Sequence, residues 1–131
     1  MTPAEEALGR EVLQLVNEER SRVGVAAVVW DAGMAQVAFE HAWDMDARNY
    51  FAHVSPCGDG PADRLDAANI SWTAVGENIA MGPSSATLAM AIWMNSAPHR
   101  ANLLDARFTR CAVGVHDSPL GTWWVMVLRR P

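Results

Sequence analysis

Three side chains stand out as a set that could do chemistry: His53, Glu77 and His99. Two imidazoles and one carboxylate are a complete donor set for Zn²⁺, with water in the open position. The same three groups could serve as general acid and base in a hydrolase. Each also has an ordinary structural role. His53 follows Tyr50-Phe51 and precedes a turn, where its ring could pin a loop. Glu77 lies between Gly76 and Asn78 in an otherwise apolar run from Ala74 to Met81, so its carboxylate must find partners that offset desolvation. His99 follows Pro98 and reads as a cation at a helix C-terminus. Ser55, Asn78, Ser96 and Arg100 accompany them in loops or at element ends, where a rigid scaffold presents functional groups. A nucleophilic triad, Ser55–His53 or Ser96–His99 oriented by Glu77, ranks lower, because no strained turn or oxyanion-hole glycine run accompanies either serine.

Composition removes other classes of function. The chain has 131 residues, the size of one domain, read as 1–131 without repeat, linker or low-complexity tract. Half of it is apolar and 19% charged, a globular composition. The balance of 10 basic and 15 acidic residues gives −5, which argues against nucleic acid and anionic membranes as partners. Every basic residue is Arg, so Schiff-base chemistry, pyridoxal attachment and a phosphate-loop lysine are excluded. There is no G-x-S-x-G elbow, H-E-x-x-H, G-x-G-x-x-G after a strand or EF-hand loop, and no organic cofactor is expected. No apolar run reaches membrane-span length, and the start Met-Thr-Pro-Ala-Glu-Glu lacks the pattern of a signal peptide. The chain reads either as cytosolic or as a mature domain already trimmed. Cys57 and Cys111 form no C-x-x-C pair; their spacing leaves both two free thiols and one disulfide open.

The elements that must position these residues are well punctuated. Thr2, Pro3 and Glu5 form a capping box, and Leu8, Val12, Leu15 and Val16 make the apolar stripe of a first helix that stops at Gly24. Val28, Val29 and Trp30 form a short apolar connection. Asp31 caps a second helix with Met34, Val37, Ala38, His41 and Met45 inward. Asn49 to Gly60 is loop, and Pro61 to Ala68 a short helix with Leu65 inward. Gly76-Glu77-Asn78-Ile79-Ala80 reads as the end of a strand and the turn after it. Gly82-Pro83-Ser84 opens a helix with Leu88, Ile92, Trp93 and Ser96 on one face, ending before Pro98. Cys111–His116 and Thr122–Arg129 are strands joined by a hairpin, with His116 at a strand end. This order favours an antiparallel or mixed sheet covered by helices over a doubly wound parallel one. Arg64 and Arg100 are expected to fix loops by bonds to carboxylates or carbonyls, or else to meet an anionic ligand. Arg129-Arg130 reads as a solvated terminus, and Asn69-Ile70-Ser71 as an incidental sequon.

Phe51-Ala-His53-Val-Ser55-Pro-Cys-Gly58, then Arg64, Gly76-Glu77-Asn78-Ile79-Ala80, Trp93-Met-Asn-Ser96-Ala-Pro-His99-Arg100-Ala-Asn102-Leu-Leu104, Phe108 and Val113-Gly114-Val115, in this order, resemble the CAP superfamily. This is the SCP domain of cysteine-rich secretory, antigen 5 and pathogenesis-related proteins, here of a compact bacterial type. The resemblance implies an α+β fold, a three-layer α-β-α sandwich with an open cleft, and a secreted or envelope-exposed protein. It tips the cysteines toward a Cys57–Cys111 disulfide. It matches His53 and His99 to the two family histidines, through which some members hold divalent metal, zinc above all, and Glu77 to the Glu of the Gly-Glu-Asn motif. The second family Glu is replaced by Ser96, which supplies no second anionic ligand.

The function expected on these grounds is a monomeric binding module whose cleft holds Zn²⁺ through His53 and His99 with Glu77 in support. Its partner would be a small molecule, a lipid, an extracellular protein or a cell-wall component. A metal-assisted hydrolase of peptide or cell-wall material is the alternative. Sterol or lipid carriage is another, although Met34, Met45, Trp93 and Trp124 fall on faces that a small sandwich needs for its core.

Overall fold

Helix α1 (Pro3–Arg22) begins where its capping chemistry says it should: the Thr2 hydroxyl accepts from Glu5 N at 3.1 Å, and the Glu5 carboxylate accepts from Thr2 N at 2.8 Å. The computed structural model describes Met1–Pro131 throughout. Strand β1 (Val29–Trp30) leads into α2 (Ala32–Ala47), which Asp31 caps by accepting from Met34 N at 3.1 Å. After the long 48–60 loop come α3 (Pro61–Ala67), β2 (Ala74–Met81), α4 (Ala86–Met94), α5 (Ala97–Leu103), β3 (Arg110–Ser118) and β4 (Gly121–Arg130).

The four strands form one sheet in the order β1-β3-β4-β2. The β1–β3 pair is parallel and the others antiparallel, so the sheet is mixed. Side chains alternate across it as a period of two requires. Cys111, Val113, Val115, Trp124, Met126 and Leu128 pack with Val12 and Val16 of α1 and Ala89, Met90 and Trp93 of α4. Ala112, Trp123, Val125, Val127 and Ile79 pack with Met34, Val37, Ala38 and Met45 of α2 and Leu65 of α3. Helices on both faces make the expected three-layer α-β-α sandwich. Gly114 marks the tightest contact between layers: a Cβ there would lie 2.1 Å from Phe39 N, so α2 rests on bare β3 backbone.

Several sequence expectations change. The implied Cys57–Cys111 disulfide does not form, and both thiols are free. Cys111 is fully buried in the α1-side core, whereas Cys57 is exposed on the loop beside α2, so the sheet stands between them. The Gly76-Glu77-Asn78 run is no turn. It lies inside β2, paired from Ala74↔Arg130 to Met81↔Trp123, and Gly76 is there because a Cβ would meet the Phe108 ring at 2.9 Å. Leu88 and Ile92 are 52% and 48% exposed; α4 buries its Ala86, Ala89, Met90 and Trp93 face instead. Pro98 starts α5 rather than merely ending α4, which places Ser96 at an N-cap and His99 in a first turn. Arg129 is no solvated terminus: its guanidinium donates to Asp31 Oδ2 at 2.8 and 3.0 Å and to the Ser71 carbonyl at 2.6 Å.

Arg20, unremarked in the sequence, is 1% exposed. It donates to the carbonyls of Ala26, Leu103, Asp105 and Phe108 at 2.7–3.1 Å, tying the end of α1 to the α5–β3 connection.

Candidate functional site: two imidazoles on one groove

Glu77 sits on the α2 face of β2, an edge strand, and its side chain is 1% exposed. Both carboxylate oxygens are engaged. Oε1 faces His53 Nδ1 at 2.9 Å, and Oε2 accepts from Arg64 Nη2 at 2.7 Å. Arg64, carried by α3, also donates to the carbonyls of His53 and Asp59 at 3.1 and 3.0 Å, the loop-fixing role expected of it. Bonding to the Glu77 carboxylate holds the His53 imidazole above its ordinary range, against partial burial.

His99 stands on the opposite element. Its Nδ1 lies 2.8 Å from Ser96 Oγ, and its backbone carbonyl accepts from Asn78 Nδ2 at 2.9 Å. Asn78 is fully buried, and its own carbonyl accepts from Asn102 Nδ2 at 3.0 Å. Asn102 also reaches the Glu77 backbone carbonyl at 3.3 Å. The Glu77-Asn78 pair therefore locates both histidines at once, one by its carboxylate and one by its amide. Burial pushes the His99 imidazole below its ordinary range, and the neighbouring His53 charge adds to this. A first-turn position adds no support for an imidazolium, because the helix dipole disfavours a cation there.

His53 and His99 line one groove of about 400 Å³ together with Phe51, Ala52, Ile79, Ala80, Met81 and Ile92. In each ring Nδ1 is the bonded nitrogen, and Nε2 has no protein partner. The three expected metal donors do not form a three-ligand cluster, and no group of three His, Cys, Asp or Glu side chains is arranged to hold an ion. Glu77 gives its oxygens to His53 and Arg64 instead.

The remaining expected residues divide. Ser55 is buried away from the groove, accepting from Asp59 N at 3.2 Å beside Cys57 Sγ at 3.1 Å, so it shapes the loop. Arg100 is exposed and donates to the Met94 carbonyl at 2.9 Å, closing the α4–α5 joint. Neither proposed triad assembles: Ser55 does not bond His53, and the Ser96–His99 pair lacks Glu77, which is held by His53. His116, the expected strand-end residue, pairs instead with Asp46 at 2.8 Å, away from this groove. His41, read as core-facing, is indeed buried, yet its Nε2 comes within 3.9 Å of Glu77 Oε1. Its spacing on α2 signals only the buried face; the meeting with Glu77 is a product of layer packing.

The chain belongs to the CAP family, the cysteine-rich secretory protein family, whose sequence model matches residues 13–128. It is similar to an uncharacterized membrane protein YlbC of Bacillus subtilis (strain 168), 39% identical over 106 residues that cover 81% of this chain and 31% of that one. An uncharacterized protein YkwD of the same organism is 36% identical over 118 residues, 90% of this chain and 45% of the relative. The chain thus spans less than half the length of these curated relatives. Among solved structures, an extracellular protein containing an SCP domain from Bacillus anthracis str. Ames superposes with a TM-score of 0.91 at 34% identity, over 100% of this chain and 44% of that one. An outer surface protein from Borrelia burgdorferi shares the fold, with a TM-score of 0.86 at 17% identity over 92% and 90% of the two chains. No helix here is long and apolar enough to cross a membrane.

Proposed function

We propose that this domain is an extracellular recognition module whose groove engages its ligand through His53 and His99. The observation that carries this reading is the shared design of the two rings: each is anchored at Nδ1 and leaves Nε2 unpaired on one groove. The extracellular setting follows the description of the similar Bacillus anthracis SCP-domain protein.

The two unpaired imidazole nitrogens on one groove support a divalent ion such as zinc held by two protein ligands. His53 and His99 would be its protein ligands, and Glu77 would act as the outer carboxylate that orients His53, a common arrangement around metal-bound imidazoles. Water or the bound ligand would complete the shell. Bound zinc would supply Lewis-acid polarisation and an anchor for an anionic group. Neutral imidazole is the binding form, and burial favours it at His99. The apolar walls, Phe51, Ile79, Ala80, Met81 and Ile92, favour a ligand with an apolar portion beside its polar group. Neither serine belongs to a Ser–His pair oriented by Glu77, which supports binding over serine-based hydrolysis.

Calorimetric Zn²⁺ titration of chelator-stripped protein tests this, beside a His53→Ala/His99→Ala double variant. Micromolar or tighter binding that the variant loses is the expected result. Wild type that takes up no zinc refutes the metal-holding form. Screening of peptide, cell-wall fragments and labelled lipids, with and without zinc, then tests the groove as a recognition surface.

A further inference from the structure

His41 lies behind the groove wall, on α2, and is 2% exposed. Its surroundings are not those of a residue that only fills space. Nε2 is 2.9 Å from the carbonyl oxygen of Ala52, the residue before His53. It is also 3.9 Å from Glu77 Oε1, the oxygen that holds the His53 ring. A carbonyl can only accept, so Nε2 carries the hydrogen and donates. Nδ1 faces the Tyr50 hydroxyl at 3.4 Å, and that hydroxyl donates to Asp44 on α2. Burial pushes the His41 pKa down, in keeping with a neutral ring among these partners.

The loop that carries His53 is therefore held at three points by three elements. Arg64 of α3 takes the His53 carbonyl, Glu77 of β2 takes the ring, and His41 of α2 takes the Ala52 carbonyl. Only His41 does so without touching His53 or lining the groove. We infer that His41 is a positioning residue: by fixing the Ala52 carbonyl and flanking the Glu77 oxygen, it sets the place and orientation of the His53 ring, and through them the affinity of the groove for its ligand.

The test compares wild type with His41→Phe, His41→Asn and His41→Gln. Phe keeps a ring and loses the donor. Asn keeps an amide too short to reach Ala52, and Gln restores the reach. Two quantities are read: the His53 ring-nitrogen signals by long-range ¹⁵N–¹H NMR at one fixed pH, and Zn²⁺ affinity by calorimetry. The Phe and Asn variants are expected to move or broaden the His53 signals and to weaken zinc about tenfold, the lower end for loss of a ligand-orienting partner. Gln is expected to restore both toward wild type. A folded Phe or Asn variant with unchanged His53 signals overturns the inference, and so does a Gln variant no better than Asn. The affinity measurement rests on the two-histidine reading above. If wild type binds no zinc, that reading fails, and the ring signals still decide for or against His41. Should the Phe variant not fold, the Asn and Gln pair carries the comparison.

Discussion

The two walls of the groove present the same side chain on different foundations. On the His53 wall, the ring leans on a buried carboxylate that an arginine also holds, and bonds from α2, α3 and β2 converge on one loop. On the His99 wall, the ring leans on a neutral hydroxyl at the start of a short helix. The outcome is opposite: one imidazole is held above its ordinary pKa and the other below it. A bonded carboxylate favours the charged ring, whereas desolvation without a compensating anion favours the neutral one. Identical residue types on one groove thus become unlike groups, one through its bonded carboxylate and the other through burial beside a like charge.

The largest blow to this contrast is Glu77→Gln. It leaves Arg64 without its buried counter-charge, and breaking such a pair costs about 3 kcal/mol. Denaturant unfolding is expected to show that loss, and NMR titration should show the His53 midpoint falling toward that of His99. A His53 midpoint that does not move would remove Glu77 as the cause of the asymmetry.

The converse change is Ser96→Glu. It gives His99 a carboxylate partner, and its midpoint should rise by about one pH unit, the scale of a neighbouring opposite charge. Zinc affinity should strengthen about tenfold, the lower end for an added orienting partner. Unchanged titration of His99 would mean that the new carboxylate turns to solvent.

The pH dependence of stability separates the walls more gently. The folded pKa of His53 is raised, so its contribution is fully present below the ordinary value of 6.5 and is lost as pH rises through the folded value. For His99 and His41 the folded pKa is lowered. They favour the fold above 6.5, and that support is lost as pH falls through their folded values. Wild type and His53→Asn should therefore both gain stability as pH climbs toward 6.5, through buried His41 and part-buried His99, but only wild type should lose stability as pH rises further through the folded His53 value. A variant curve parallel to wild type above 6.5, where the raised His53 value makes wild type lose stability, would show that His53 makes no such contribution.

The smallest effect belongs to Ser96→Ala. The part-exposed Ser96–His99 bond is worth about 0.5 kcal/mol, and the loss should appear as a small drop in unfolding free energy with more mobile His99 ring signals. A larger drop would mean that Ser96 also holds the joint between α4 and α5.

Much of this molecule could be read before folding was considered. The Thr2-Pro3-Glu5 cap, the inward stripe of α2 and the final hairpin are local patterns that the backbone obeys within a few residues. The sequence also singled out His53, Glu77 and His99, because two imidazoles and a carboxylate together make a chemically complete set although each alone has an ordinary structural role. It was silent where the answer depended on elements far apart in the chain. Gly76-Glu77-Asn78 has turn composition, yet β4 pairs with it and Phe108 occupies the space a side chain would need. Leu88 and Ile92 have core composition, yet α4 buries its small-residue face and turns them outward.

Capping, periodicity and residue type, which are short-range properties, determined the main helices, the final hairpin, a helix-covered antiparallel or mixed sheet and the candidate histidines, whereas the family and the three-layer class were legible through the resemblance of the ordered motifs. Only the tertiary structure decided what those histidines are. Arg64 and His53 share the Glu77 carboxylate, Ser96 stands alone beside His99, and the sheet keeps Cys57 apart from Cys111. Each outcome follows from which side chains the packing of separate layers brings within about 3 Å, the distance at which a hydrogen bond forms.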